Sequence, residues 1–259
     1  MLRFRHRTSA GVVEATADSP TELAGYDLVR PVDPPEVWGA GVTYQRSLDA
    51  RMEESSAQDL YALVYGAERP ELFLKDAAGR RTVGPGEPIG VRADSNWDVP
   101  EPEIVVVLGD GGSLAGLTIG NDVSSRDIEG TNPLYLPQAK IFAGACAIGP
   151  AVLVPDDWDA PLEIHMRVTA ADGSELFTGE TTTARMQRSF PELVEWLLRD
   201  NPVPDGSVMF TGTGLVPPDD FTLEPGHTVE ITVPEIGTLA NPVVSATELA
   251  TRARSEAHV

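Results

Sequence analysis

Three carboxylates around one predicted β-hairpin could hold a divalent cation. Glu101 and Glu103 are two residues apart, so both side chains point to the same face if this segment is a strand. The apolar run 104–108 predicts a buried strand, and Gly111-Gly112 is typical of a two-residue type I′ turn, which needs positive φ at both central positions. With that turn, Asp122 on the second strand lies opposite Glu101 and diagonal to Glu103.

Converging carboxylates repel each other unless a cation joins them, and hard oxygen ligands suit Mg²⁺, Mn²⁺ or Ca²⁺. The prediction depends on register, because a slip of one residue would send Asp122 to the other face of the sheet. The alternative is a pair of solvated glutamates at the start of a strand. Spacing alone leaves both interpretations open.

Lysine is scarce in this chain, which has 19 basic residues of which only Lys75 and Lys140 are lysines. An arginine side chain does not lose its proton near neutral pH, whereas a lysine amine can. A lysine retained in a chain that otherwise uses arginine therefore indicates a need for a titratable group. Lys140 precedes Ile-Phe, and burial beside a metal would make its amine easier to deprotonate. It could instead form an ion pair with a nearby acid. Lys75, which is followed by an aspartate, is interpreted as a strand-end charge and is not predicted to be catalytic.

Further polar residues are candidates for contact with a substrate. Glu71, between a proline and an apolar strand, is either an acid–base group or an exposed glutamate. Arg126 could bind a substrate carboxylate bidentately or pair with Asp127 or Glu129. Thr213 lies in a Gly-Thr-Gly loop that allows close approach of the backbone to a ligand. Arg46 and Ser47, at the start of a predicted helix, could also contact substrate.

The composition excludes several classes of partner. A formal charge of −21 argues against nucleic acid and against an anionic membrane surface. No apolar stretch approaches the ~18 residues of a membrane span, and the first residues do not form a signal-peptide core. The sequence therefore predicts a cytoplasmic protein that binds a small molecule.

Most of the chain consists of short strands separated by Gly, Pro and Asp turns, without alternating long helices. This pattern favours a mainly β (α+β) fold, a mixed β-roll or barrel with few helices, over a parallel α/β sheet. We predict a small β-rich N-terminal segment over 1–36 and a catalytic β-roll domain over 37–250. Within that domain the helix 47–65 is predicted as a lid, with an ordinary surface helix as the alternative, and 251–259 is predicted as a flexible tail.

Several segments, in order along the chain, resemble the fumarylacetoacetate hydrolase superfamily. They are PELFLK (70–75), EPE (101–103), GLTIGNDVSSRDIE (116–129), the Gln138-Ala139-Lys140 segment, FTGTGLVPP (210–218) and EITVPEIGTLANPV (230–243). The resemblance implies a mixed β-roll, a homodimer or homotetramer, and a metal bound by Glu101, Glu103 and Asp122.

Within that superfamily the run 125–140 most resembles dehydratases of 2-keto-3-deoxy sugar acids. That likeness implies Mg²⁺ and conversion of a 2-keto-3-deoxy-D-arabinonate-like acid to 2,5-dioxopentanoate. It also implies Glu71 as acid or base, Lys140 beside the metal and Thr213 as a substrate contact. One alternative is a metal-dependent hydrolase of acylpyruvate-like diketo acids. It is disfavoured because residues 43–75 contain no histidine to activate water. The other is a non-enzymatic acidic β-domain that binds Ca²⁺.

Overall fold

The computed structural model describes residues 1–45 and 63–256, and within them the fold is mainly β with few helices, as predicted. The strands are β1 (Leu2–Thr8), β2 (Gly11–Ala17), β3 (Glu36–Gly41), β4 (Glu71–Ala77), β5 (Thr82–Val83), β6 (Ile89–Val91), β7 (Asp98–Val99), β8 (Pro102–Leu108), β9 (Leu114–Asp122), β10 (Ser124–Ser125), β11 (Cys146–Leu153), β12 (Glu163–Thr169), β13 (Glu175–Thr182), β14 (Val208–Thr213), β15 (Thr228–Val233) and β16 (Gly237–Ser245). The described α-helices are α1 (Arg126–Thr131), α2 (Leu136–Lys140), α3 (Phe190–Leu198) and α4 (Ala246–Glu256).

Two mixed sheets and a short ribbon make up the β-roll. The larger sheet has the order β2-β1-β11-β9-β8-β14-β3-β4, with β5 added in parallel beside β11. The smaller sheet has the order β13-β12-β15-β16-β6, and β7 pairs with β10 to form the ribbon. Parallel pairs such as β14 with β3 occur among antiparallel ones, which makes the architecture mixed.

Strand β8 lies in the middle of the larger sheet and buries both of its faces. Ile104 and Val106 join the core cluster that also contains residues of the smaller sheet, such as Ile164. Val105 packs on the other face in a second cluster with Phe210. Burial on both faces explains why the sequence of β8 is continuously apolar instead of alternating.

The predicted register of the β8–β9 hairpin is confirmed, and Gly111 and Gly112 both have the positive φ, 64° and 79°, that the predicted turn requires. Pro102 pairs with Asn121, and the pairing continues in step to Val107 with Gly116. The Ser113 N–H donates to the Asp110 carbonyl at 3.4 Å across these two glycines, but the Gly109 N–H also donates to the Ser113 carbonyl at 2.7 Å, so the loop is one residue longer than predicted. The register shifts by one next to this turn, and an extra residue in β9 restores the expected pairing.

Other parts of the predicted organisation differ from the structure or lie outside it. Of the predicted lid helix 47–65, residues 63–65 are described and are helical, whereas Arg46, Ser47 and the rest of that helix lie outside the described residues. The segment expected to be a flexible tail is helical as far as Glu256, because α4 continues through it. In the N-terminal segment, β1 pairs with β11 and so extends the larger sheet. No helix in the described part of the chain is long and apolar enough to cross a membrane.

Candidate active site

The three carboxylates predicted to bind a metal converge at the end of the β8–β9 hairpin. Glu101 directly precedes β8, Glu103 is its second residue and Asp122 is the last residue of β9. The Asp122 N–H donates to the Glu101 carbonyl at 2.9 Å, which aligns the two chain segments. One oxygen of each carboxylate lies within 4.8 Å of the others, and all three side chains are buried. The set is therefore compact enough to share one cation.

The buried surroundings of Glu103 disfavour the charged form of its carboxyl group. Burial raises the pKa of Glu103 well above its ordinary value, and the charges of Asp122 and Glu101 raise it further. Its Oε2 accepts a hydrogen bond from the Gly212 N–H at 2.6 Å. Gly212 has a φ of 91°, a conformation in which a residue with a side chain would be strained. A divalent cation would relieve the repulsion that the pKa of Glu103 reports.

Lys140, the last residue of α2, contacts two of these carboxylates. Its Nζ donates to Glu101 Oε2 at 2.6 Å, to Asp122 Oδ2 at 3.1 Å and to Ser124 Oγ at 2.5 Å. The amine also lies 5.7 Å from the centre of the Phe73 ring. The structure thus places Lys140 beside the carboxylates, as the resemblance implied.

Lys75 also belongs to this site, so its interpretation as a strand-end charge was wrong. The side chain is fully buried, donates to the Val123 carbonyl at 2.9 Å and forms an ion pair with Asp122 Oδ1. Both lysines of the chain therefore contact Asp122, one at each oxygen. The scarcity of lysine in the sequence was the signal that could have identified Lys75.

Arg126, the first residue of α1, lies between two carboxylates. One guanidinium nitrogen is 2.8 Å from Glu101 Oε1, and the other is 3.8 Å from Glu129 Oε2. All three side chains are buried. Of the two roles considered for Arg126, the structure shows the pairing with a nearby acid, namely Glu129. A role in binding a substrate carboxylate stays a prediction.

Glu71 and Thr213 reach the same cleft from β4 and β14. Glu71 is half-buried and pairs across the sheet with Gly41, where an added Cβ would overlap the Glu71 carboxylate. The Thr213 hydroxyl lies 2.9 Å from the Pro102 carbonyl and accepts from the Leu215 N–H at 3.2 Å. Thr213 thus holds its own loop against the start of β8 while it lines the cleft.

These side chains surround a narrow cleft whose described lining is rich in acid. Five carboxylates line it, namely those of Glu71, Glu101, Glu103, Asp122 and Glu129. Arg126 and Lys140 also line it, and Lys75 lies behind Asp122. Among the described residues, three cations against five carboxylates leave a formal excess of two negative charges. All-oxygen donors with that excess fit a hard divalent cation such as Mg²⁺.

Comparisons with known proteins agree with this arrangement. A family model described as "Fumarylacetoacetate (FAA) hydrolase C-terminal" matches residues 37–244. The chain is 53% identical to a probable 2-keto-3-deoxyxylonate dehydratase of Haloferax volcanii over 216 residues, which cover 83% of this chain and 74% of the relative. It is 46% identical to the 2-dehydro-3-deoxy-D-arabinonate dehydratase of Saccharolobus solfataricus over 222 residues, with the same two coverages of 83% and 74%.

A solved structure described as 2-keto-3-deoxy-D-arabinonate dehydratase complexed with magnesium and 2,5-dioxopentanoate superimposes with a TM-score of 0.80. The two chains are 35% identical, and the match covers 95% of this chain and 99% of the other.

Proposed function

The chain belongs to the fumarylacetoacetate hydrolase family, and on that basis we propose that it catalyses the magnesium-dependent dehydration of a 2-keto-3-deoxy sugar acid to 2,5-dioxopentanoate. The observation that carries the proposal is the buried carboxylate triad with Lys140 bonded to two of its members. The printed functions of the two dehydratase relatives and of the magnesium-bound structure support the choice of reaction.

The residues of the cleft supply what a dehydration needs. Magnesium bound by Glu101, Glu103 and Asp122 would hold the substrate's 1-carboxylate and 2-oxo group and make its C3 hydrogen more acidic. Lys140 takes the proton from C3, and Glu71 gives a proton to the C4 hydroxyl, which leaves as water. The opposite assignment, with Glu71 as base and Lys140 as acid, involves the same atoms.

The atoms lost and moved in this reaction account for the expected product. Loss of the C3 hydrogen and the C4 hydroxyl leaves a double bond between C3 and C4. An isomerisation that moves two hydrogens, one from C5 and one from its hydroxyl, to C3 and C4 then gives 2,5-dioxopentanoate. The carbon chain stays intact throughout, which distinguishes this reaction from the hydrolysis of a diketo acid.

An assay with two substrate types tests the proposal. With Mg²⁺, the protein should convert a 2-keto-3-deoxy pentonate to an aldehyde-containing dioxo acid, and it should not release pyruvate from an acylpyruvate. Chelation should abolish turnover, and added Mg²⁺ should restore it. Cleavage of the acylpyruvate without dehydration of the pentonate would decide for the hydrolase.

Substitution of the three carboxylates tests whether they bind the metal. Glu101→Ala, Glu103→Ala and Asp122→Ala should each abolish activity and weaken Mg²⁺ binding in calorimetry, because each removes one oxygen ligand. Unchanged Mg²⁺ affinity in all three variants would contradict the assignment of the site.

Several attributes rest on the sequence or on relatives alone. We propose Mg²⁺ as the working ion in preference to Mn²⁺ or Ca²⁺, since a related structure contains magnesium. A cytoplasmic location and assembly as a homodimer or homotetramer stay predictions. Size-exclusion chromatography with light scattering would measure the oligomeric state directly.

A further inference from the structure

We infer that Arg188 is a positioning residue for the dehydration, because it fixes the chain that leads into Glu71 relative to the metal site. This inference rests on the proposed function, in which Glu71 exchanges a proton with the substrate. Arg188 does not line the described cleft, so its contribution to the reaction is made through the main chain.

Arg188 binds the main chain just before β4. Its guanidinium donates to the Glu68 carbonyl at 3.0 Å and to the Ala67 carbonyl. It also donates to Glu192 Oε1 at 2.6 Å, and only 8% of the Arg188 side chain is exposed. Hydrogen bonds from a charged donor are stronger than neutral ones, and salt screens buried pairs little. A buried cation therefore holds the two carbonyl groups in place.

The connection from Glu68 to Glu71 is short and stiff. It consists of Arg69 and Pro70, so Glu71 follows within roughly 10 Å of extended chain. The proline ring fixes its own φ and disfavours the helical conformation in the residue before it. The Arg69 guanidinium also lies over α3, 4.6 Å from the centre of the Trp196 ring. A shift at Glu68 is therefore passed on to Glu71 instead of being absorbed between them.

The segment 186–188 is also connected to the metal site. The Gln187 N–H donates to the Thr43 carbonyl at 2.9 Å. Thr43 is fully buried, and its hydroxyl donates at 2.6 Å to the carbonyl of Thr211, the residue before the glycine whose N–H donates to Glu103. One short segment thus contacts both the chain that holds a metal ligand and the chain that leads into the acid–base group.

These two connections differ in kind, so mutation can separate them. A backbone N–H makes the connection to Thr43, and it is retained whichever side chain stands at position 188. The Arg188 guanidinium makes the connection to residues 67 and 68, and it is lost on substitution. Replacement of Arg188 should therefore release Glu71 while leaving the metal site in place.

The size of the effect follows from the geometry of the guanidinium group. Its planar fork donates to two carbonyls and one carboxylate at once, which a glutamine cannot do. A displacement of about 1 Å of an acid–base group can cost on the order of 100-fold in rate. We expect kcat of Arg188→Gln to fall by about 10- to 100-fold with KM little changed, because the interaction lost acts on the chemical step.

Steady-state dehydration of the pentonate at saturating Mg²⁺, together with Mg²⁺ affinity from calorimetry, measures both sides of the inference. Arg252→Gln is the matched control, because exposed Arg252 forms an ion pair with a glutamate four residues away in sequence, as Arg188 does. The control loses the same charge and the same kind of ion pair, far along the chain from Glu71. We expect wild-type kcat in Arg252→Gln and wild-type Mg²⁺ affinity in both variants. Near wild-type kcat or weakened Mg²⁺ binding in Arg188→Gln would overturn the inference.

A double-variant cycle with Glu71→Gln distinguishes positioning from a general loss of structure. If Arg188 acts through the Glu71 carboxylate, Arg188→Gln should lower kcat little further once Glu71 is already glutamine. A merely structural role would lower kcat by the same factor in both backgrounds, and that additivity would refute the inference. Absence of pentonate dehydration by the wild-type protein would instead refute the proposed function itself.

Arg188→Lys keeps the test decisive if Arg188→Gln does not fold. Lysine retains the positive charge beside Glu192 but lacks the planar fork that donates to both carbonyls. We expect kcat of Arg188→Lys to fall by at least ~10-fold, and this loss should also disappear in the Glu71→Gln background. Full turnover in Arg188→Lys would show that the charge, and not the position of the chain, is what Arg188 supplies.

Discussion

Gly41 and Gly39 leave room on β3 for the side chains that β4 directs toward the cleft. A Cβ at Gly39 would lie 2.5 Å from the Phe73 ring, and a Cβ at Gly41 would overlap the Glu71 carboxylate and lie 2.8 Å from its Cδ. Gly41 does not have a positive φ, so alanine fits its backbone without strain. Gly41→Ala should therefore act almost entirely by displacing Glu71.

The size of the effect follows from the overlap. Ordinary contact with a Cβ requires at least 3.4 Å, so the Glu71 carboxylate must move by about 1 Å or more. A displacement of about 1 Å of a group that transfers a proton can cost on the order of 100-fold in rate. We expect kcat to fall by about that factor, while the free energy of unfolding changes by less than ~1 kcal/mol because the carboxylate rotates away.

The assay is steady-state dehydration of the pentonate, combined with thermal unfolding. Gly66→Ala is the matched control, since a Cβ there meets no atom within 4 Å and the residue has no positive φ. The double variant Gly41→Ala/Glu71→Gln tests whether Gly41→Ala acts through Glu71. If both substitutions act through the same carboxylate, their losses of kcat should not be additive. Near wild-type kcat in Gly41→Ala, or full additivity in the double variant, would refute the role assigned to Glu71.

Three other substitutions test separate parts of the site. Lys140→Arg keeps the positive charge but loses the titratable amine, so kcat should fall at least ~100-fold without a change in melting temperature. Retained turnover would show that the charge alone is sufficient. Lys75→Met removes one of the two lysines paired with Asp122, which should cost about 3 kcal/mol of folding free energy. Calorimetry should therefore show a melting temperature lower by roughly 6–12 °C, and a drop of less than ~2 °C would contradict the buried ion pair. Burial raises the pKa of Asp98 to about 6, so the folded protein binds this proton more tightly than the unfolded chain does. The wild-type protein should therefore gain stability as pH falls through 6, and Asp98→Asn should lack this gain. Melting temperatures that change in parallel for the two proteins between pH 7.5 and 5 would refute this.

The carboxylate triad could be predicted because its geometry is local. Glu101, Glu103 and Asp122 belong to one hairpin, and an alternating strand fixes which side chains share a face. The positive φ of Gly111 and Gly112 was predicted correctly, but the length of the loop was not, because sequence does not distinguish a two-residue turn from a three-residue turn with a compensating bulge. The register was right nevertheless, since the extra residue in β9 offsets the longer turn.

Contacts that depend on tertiary packing could not be predicted from the sequence. Lys75 is followed by an aspartate, which suggested an exposed strand end, but β4 carries its side chain into the core beside Val123. Glu129 was considered only as a partner for a cation, because nothing in a single sequence shows that α1 directs it into the cleft. The β7–β10 ribbon that holds this region consists of two-residue strands too short to give a periodic pattern.

The burial of both lysines has a consequence for chemical labelling of this protein. Lys75 and Lys140 are 0% and 2% exposed, so an amine-reactive dye or crosslinker finds no lysine at the surface of the native fold. Their modification requires a local opening of the core, and its rate therefore reports the free energy of that opening. Lysine acylation followed by mass spectrometry would thus measure how often the cleft region opens, and bound metal should slow it.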